Sequence, residues 1–119
     1  MTPERFDCVA FDKGTLVIFE SLDLGINERG EIVLSPTKDM QHPTLFMSDR
    51  GSEIQVESIF HGPTEIPGLG HNPLGIFRLG LRLPITASKD KPIKIVVVNL
   101  GPEPSNISAS LLCNPATPT

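Results

Sequence analysis

The stretch FRLGLRLPI, residues 77–85, decides the fold prediction, because apolar and non-apolar positions alternate along its whole length. Alternation with a period of two is the pattern of a half-buried β-strand, whose successive side chains point to opposite faces. The apolar face would hold Phe77, Leu79, Leu81, Leu83 and Ile85. Short apolar runs recur from position 6 to position 113, and none carries a clear apolar stripe of period 3.6. The pattern therefore predicts an all-β protein.

Working outward from this stretch gives about eight strands separated by Gly, Pro, Asn and Asp. The predicted strands are residues 6–11, 15–24, 31–35, 44–48, 53–60, 76–85, 93–100 and 106–113. A chain of 119 residues can bury a core without disulfides or metal. We therefore expect one antiparallel β-sandwich over residues 1–113, jelly-roll-like or immunoglobulin-like, followed by a Pro-rich tail at 114–119.

The connections between the predicted strands carry turn chemistry. Residues 27–30 and 48–52 contain Gly, which accepts a positive φ, together with Asn or Asp, which bond to nearby backbone groups. Both connections are predicted to be hairpins. Residues 35–43 are predicted to cross from one sheet to another.

The last two predicted strands form a distinctive pair. Residues 95–98 of the first are apolar on both faces, so its outer face needs a loop, a tail or a partner to cover it. This Val-rich strand ends in Asn-x-Gly-Pro, and an alternating polar and apolar strand follows. Residues 92–112 thereby resemble the last two strands of immunoglobulin-like modules, although the paired Cys with a central Trp of antibody-type domains is absent.

Composition narrows the classes of function. The chain has six Phe but no Trp or Tyr, the residues on which sugar rings usually stack. Carbohydrate binding is therefore a less favoured function. Its formal net charge is -4 and its Lys and Arg residues form no stripe, so no nucleic-acid partner is expected. Residues 1–8 lack the features of a secretory signal, and no apolar run approaches membrane-spanning length. We expect synthesis in a cytosol without a signal peptide, and no membrane partner.

The two cysteines, Cys8 and Cys113, share predicted strand faces with apolar residues. In a reducing cytosol they would be buried thiols that pack like small hydrophobic side chains. A Cys8–Cys113 disulfide between the first and last predicted strands is the alternative for an exported form. Two cysteines make no disulfide framework, which favours the buried thiols.

The segment from Gly62 to Gly75 is predicted to be the functional element. It holds four Gly and three Pro, cannot be regular structure, and contains Glu65 as its single charged residue. Long irregular loops in compact domains are usually functional or disordered, and disorder goes with polarity rather than with apolar side chains. Its apolar side chains either plug the open end of the chain's own sandwich or pack on a partner. The contact candidates are Phe60, Ile66, Leu69 and Leu74.

No catalytic or cofactor motif is recognisable, and no cofactor is expected. His61, Glu65 and His71 are weak candidates for a metal site, because their spacing matches no compact metal signature. The glycine-rich run 68–75 lacks the Lys-Ser/Thr and the helix of a phosphate loop. There is no Gly-x-Ser-x-Gly, and neither cysteine sits where a reactive thiolate would.

These observations favour a non-enzymatic structural protein that self-associates, as a homo-oligomer, or docks on a larger lattice. By analogy at the level of the fold, the concrete class is a small decoration or cement protein of a virus capsid, incorporated in the virion. The alternative is a small-ligand or carbohydrate-binding β-sandwich, with a pocket lined by Phe60, Leu69 and Phe77 and with His61 or His71 as its polar contact. A small metal enzyme centred on His61, Glu65 and His71 is the third hypothesis.

Overall fold

The computed structural model describes residues 9–11, 15–36, 39–50 and 53–113, and the side chains of 18–36, 39–50 and 53–112. These residues form antiparallel strands and one short 3-10 helix at Leu74–Phe77. The strands are β1 Val9–Phe11, β2 Thr15–Leu24, β3 Arg29–Leu34, β4 Met40–Gln41, β5 Thr44–Asp49, β6 Ile54–His61, β7 Thr64–Glu65, β8 Asn72–Pro73, β9 Leu81–Arg82, β10 Thr86–Ala87, β11 Ile93–Asn99 and β12 Ser105–Cys113. Nothing in this part of the chain is a helix with the length and apolar character to cross a membrane.

The described strands pair in two larger sheets and one small one. The first sheet has the order β1-β2-β12-β5-β9. The second has the order β3-β11-β6, with β7 and β8 both paired to the other side of β6, and β10 pairs with β4 separately. Buried side chains of the first and second sheets belong to a single hydrophobic cluster. The all-β prediction is confirmed, and the arrangement is compatible with a β-sandwich.

Six long strands, β2, β3, β5, β6, β11 and β12, lie within two residues of the predicted bounds. Residues 9–11 of the predicted strand 6–11 form β1. The count of about eight strands was too low, because β4, β7, β8, β9 and β10 are two-residue strands inside segments that read as connections or as one strand. Residues 114–119, Cys8 and the side chain of Cys113 lie outside the described residues, so the tail and the state of the two thiols stay predictions.

The predicted strand 76–85 is wrong. The chain leaves the 3-10 helix in a turn in which the Gly80 amide donates to the Phe77 carbonyl at 3.2 Å, and Gly80 has a φ of +92°. Only Leu81 and Arg82 pair, with Leu45 and Thr44 of β5. The alternating pattern correctly indicated buried or partly buried side chains at Phe77, Leu81, Leu83 and Ile85, but it was wrong for Leu79, which is 94% exposed. Glycine at position 80 permits a left-handed backbone that an extended strand does not have.

The predicted hairpins at 27–30 and 48–52 are also wrong. The first connects β2 of the first sheet to β3 of the second, and the other connects β5 of the first sheet to β6 of the second. In the first connection the Glu28 amide donates to the Gly25 carbonyl at 3.1 Å, and Asn27 adopts a φ of +60°. The strands that this connection joins find their partners elsewhere, however, since β2 pairs with β12 and β3 pairs with β11.

One buried amide ties together the connections at this end of the molecule. Asn99 is fully buried, and its Nδ2 donates to the carbonyls of Leu24 at 3.3 Å and Glu103 at 2.8 Å. Its Oδ1 accepts from the amide of Gly101 at 2.9 Å. Its backbone exchanges hydrogen bonds with Asn27 and Glu28 of the turn between β2 and β3. A buried polar group of this kind is retained because it satisfies the backbone groups of turns that have no ladder partner.

The predicted need for a cover over β11 is met in part by charged side chains. Arg29 on β3 and Glu57 on β6 lie on either side of β11, and Arg29 donates from Nε to Oε1 at 2.7 Å and from Nη2 to Oε2 at 3.0 Å. This ion pair therefore crosses β11 on its outer face, near Val98, which is only 9% exposed. Further along the same face, the Lys94 ammonium lies 4.8 Å from the centre of the Phe60 ring.

Candidate functional site

Residues 62–73, between β6 and the 3-10 helix, form an interrupted edge strand, which we call the covering segment. Its β7 pairs with the end of β6, and its β8 pairs with the beginning of β6. Between them the amide of Ile66 donates to the Ile59 carbonyl at 2.8 Å, and the amide of His71 donates to the Glu57 carbonyl at 3.2 Å. Gly70 passes so close to β6 that a Cβ there would come within 2.5 Å of the Glu57 carbonyl oxygen. The segment thereby covers backbone groups that an open sheet edge would expose.

The four predicted contact residues are placed in three different environments. Ile66 and Leu74 are 6% and 1% exposed and belong to the core of the chain itself, so in this conformation they are not available to a partner. Leu69 packs against that core and is partly buried. Phe60 lies on the outer face of the second sheet under Lys94. For Ile66 and Leu74 the contacts favour the plugging alternative, and for Phe60 and Leu69 the interface role stays a prediction.

The candidate metal ligands are not brought together. His61 Nε2 lies 2.7 Å from the carbonyl oxygen of Thr86, and Glu65 is exposed on β7. His71 is exposed beyond the other end of the segment, with a φ of +59°. Within the described ranges, no group of three or more His, Cys, Asp or Glu side chains has an arrangement that could hold a metal ion. The metal hypothesis centred on these three residues is therefore not supported by the geometry.

A pocket of about 420 Å³ opens where the 3-10 helix meets the ends of β5, β6 and β11, and we call it the Asp49 pocket. Its apolar lining comes from Ile54, Leu74 and Leu100, of which Leu100 is 54% exposed. The Leu100 amide donates to the Glu53 carbonyl at 2.8 Å, which fixes the two sides of the rim relative to each other. The polar lining is Asp49, Glu53, Gln55, His71 and Arg78.

The charges of the Asp49 pocket are unequally compensated. The Asp49 side chain is only 6% exposed, and its Oδ1 accepts a hydrogen bond from Arg78 Nη2 at 2.8 Å. Glu53 is exposed at the rim, and no described side chain forms an ion pair with it. The lining thus holds two carboxylates and one guanidinium, and Glu53 is the carboxylate that the guanidinium does not contact.

Beside this pocket, the Arg29–Glu57 ion pair sets the local electrostatics of β6. The hydrogen bonds from Arg29 lower the pKa of the Glu57 carboxyl, with smaller contributions from the charges of Arg29 and His71. The same contact raises the pKa of Arg29. Both groups are solvent-accessible, so the pair adds little to the free energy of unfolding and is sensitive to salt.

A second surface lies on the outer face of the first sheet. Ser110 on β12 pairs with Phe19 on β2 and with Phe46 on β5, so two rings flank a row of small side chains. A groove of about 240 Å³ runs here, lined also by Ser48, Ser108 and Arg78. A Cβ on Gly80 would lie 2.6 Å from the Phe46 ring. Leu79 lies in the chain between Arg78, which lines the groove, and Gly80, and it is 94% exposed. We call Phe19, Phe46 and Leu79 the contact patch.

The residues of these two surfaces were mostly absent from the sequence-based predictions. His71 was named, but the suggested pocket of Phe60, Leu69 and Phe77 does not form, since Phe77 is fully buried in the core and Phe60 lies on an outer face. Asp49 and Arg78 are 29 positions apart, and no local signal joins them. Phe19 had a usable signal, because it interrupts the alternation of β2 by placing an aromatic ring on the polar face.

Comparisons of this chain with protein-family models, with curated proteins and with solved structures find no match.

Proposed function

We propose that this chain is a non-enzymatic structural protein that self-associates through the contact patch or docks by it on a larger lattice. A decoration or cement protein of a virus capsid is the concrete class. The observation that carries the proposal is Leu79, a large aliphatic side chain that is 94% exposed and follows Arg78, a residue of the groove between Phe19 and Phe46. Burial of one such side chain in an interface is worth about 1.5–3 kcal/mol.

The surroundings of Leu79 support an interface. Phe19 is 50% exposed on the same face, and the groove between Phe19 and Phe46 is lined by serines, which leave room for an inserted side chain. Apolar anchors next to a groove, with an arginine at the rim, match the composition of interface centres. In a symmetric pair of identical chains, the patch of one copy would meet the same patch of the other.

The proposal depends on the patch alone, and a second copy of the chain is its first expected partner.

The test is the mass of the protein in solution, measured by light scattering from micromolar to millimolar concentration. The wild type is expected to form a discrete oligomer, and Leu79→Glu and Phe19→Glu are expected to be monomeric with unchanged β-sheet circular dichroism. Ile26→Glu is the matched control, because Ile26 is 52% exposed in the turn between β2 and β3 and lies outside the patch. A wild type that stays monomeric throughout, or an oligomer that survives both patch substitutions, would contradict self-association by this surface.

A further inference from the structure

The Asp49 pocket is independent of the contact patch in most of its lining, and it has the properties of a small-molecule site. Its volume of about 420 Å³ lies within the range of about 300–1,000 Å³ that is usual for ligand pockets. Such sites combine a mostly apolar wall with a few polar groups that converge on the ligand. Here the wall is Ile54, Leu74 and Leu100, and the polar groups come from three separate elements.

We propose that the Asp49 pocket binds a small organic cation that carries an apolar body. The guanidinium of Arg78 is neutralised by Asp49, which it contacts at 2.8 Å. Glu53 is the charged group in the lining without an ion-pair partner among the described residues. A ligand ammonium group would therefore find its counter-charge at Glu53, and the Gln55 side-chain carbonyl offers an additional acceptor.

The apolar part of the ligand is assigned to the other side of the pocket. Leu74 is almost fully buried and forms the floor, whereas Leu100 is 54% exposed at the rim. Contact with a ligand would remove the Leu100 side chain from water, and each buried methylene of the ligand would contribute about 0.8 kcal/mol before the cost of association. An anionic ligand would instead face the uncompensated charge of Glu53.

The site is held in place by backbone contacts and not by flexible side chains alone. The Leu100 amide is bonded to the Glu53 carbonyl, and β8 pairs Asn72 and Pro73 with Val56 and Gln55 of β6. Backbone hydrogen bonds thus hold both the rim and the opposite wall of the pocket. A preorganised site loses less free energy on binding than one that must be ordered by its ligand.

The test is a titration of the isotope-labelled, full-length protein followed by amide chemical shifts in two-dimensional NMR. Three probes share one ring and differ in charge: benzylamine, benzyl alcohol and benzoate. Benzylamine is expected to shift the amides of Glu53, Gln55 and Gly75 in a saturable manner. Benzyl alcohol is expected to bind roughly three- to fivefold more weakly, the effect of one exposed ion pair, and benzoate more weakly still.

Two variants separate the roles of the two walls. Glu53→Gln is expected to reduce the affinity for benzylamine to that for benzyl alcohol, and Leu100→Ala is expected to weaken both probes equally. Glu31→Gln is the matched control, because Glu31 is exposed on β3 away from the pocket. Equal binding of all three probes, no saturable shift, or an unchanged affinity for benzylamine in Glu53→Gln would overturn the proposal. None of these outcomes bears on the contact patch, which is tested by mass.

Discussion

Residues 62–75 and residues 77–85 are adjacent in the chain, and each has features that the sequence pattern of the other predicts. The first segment reads as a loop but pairs with a strand, whereas the second reads as a strand but is mostly unpaired. The first segment has no periodicity and is rich in Gly and Pro, yet it pairs with β6 at both ends and inserts Ile66 and Leu74 into the core. The second alternates without a break, yet only two of its residues pair with another strand. Alternation in 77–85 therefore predicted full or partial burial at four of its five apolar positions and failed at Leu79, which is 94% exposed. Hydrogen-bonded pairing depends instead on whether a partner strand lies alongside.

Two leucines, one from each segment, give the strongest test of the comparison. Leu74→Ala is expected to lower the free energy of unfolding by about 2–5 kcal/mol, because it leaves a cavity in a well-packed core. Leu79→Ala is expected to change it by less than about 0.5 kcal/mol in the monomer, because the side chain is already in water. Urea denaturation at a dilution that keeps the protein monomeric measures both. Similar losses in the two variants would mean that Leu79 is packed in solution.

Two glycines test the turn that interrupts the alternating stretch. Gly80→Ala places a Cβ 2.6 Å from the Phe46 ring at a residue with a φ of +92°, so a loss of about 1–3 kcal/mol is expected. Gly75→Ala is the control, since nothing lies within 4 Å of its Cβ position, and a gain of about 0.4–1 kcal/mol is expected. Thermal unfolding compares the two directly. If Gly80→Ala is neutral, the segment can adopt the extended strand that its alternation indicates.

The smallest expected effect concerns Glu57, whose carbonyl anchors the covering segment and whose carboxylate bonds to Arg29. Arg29 lowers the pKa of Glu57 from its usual value of 4.5, so the ionised form stabilises the folded state. This contribution to stability is fully present at a pH above the pKa of Glu57 in the unfolded chain. It is lost as the pH falls through the lowered pKa of Glu57 in the folded protein. The melting temperature of the wild type should exceed that of Glu57→Gln at neutral pH. The two melting temperatures should converge at a pH below the pKa of Glu57 in the folded protein.

Glu65→Gln serves as the control for that pH series, because Glu65 is an exposed carboxylate on the covering segment itself. Glu65→Gln removes one carboxylate and leaves the Arg29–Glu57 contact in place, so a pH dependence shared by both variants is not due to that ion pair. A constant difference between Glu57→Gln and the wild type at every pH would show that the ion pair contributes no charge-dependent stability.

Much of the fold followed from local patterns, and most of the candidate sites did not. The long strands were predictable because each carries its own alternation or apolar run, as in residues 15–24 and 93–99. The sheet to which each strand belongs was not predictable, because a turn such as 27–30 can connect two strands of one sheet or strands of two different sheets. The Asp49–Arg78 pair joins two elements 29 positions apart, and the exposure of Leu79 depends on one glycine φ. Both are properties of tertiary packing.

The position of β12 has a consequence for synthesis of the chain. It is the middle strand of the first sheet, between β2 and β5, and it pairs Leu24 with Ser105 and Leu16 with Cys113. While a ribosome is still making residues 105–113, β2 can pair only with β1 and β5 only with β9 in this sheet, so each of them exposes one long unpaired edge. Loop closure over such distances makes strand pairing slow, and unpaired edges favour aggregation. The nascent protein is therefore expected to depend on chaperone protection until its last described strand has emerged.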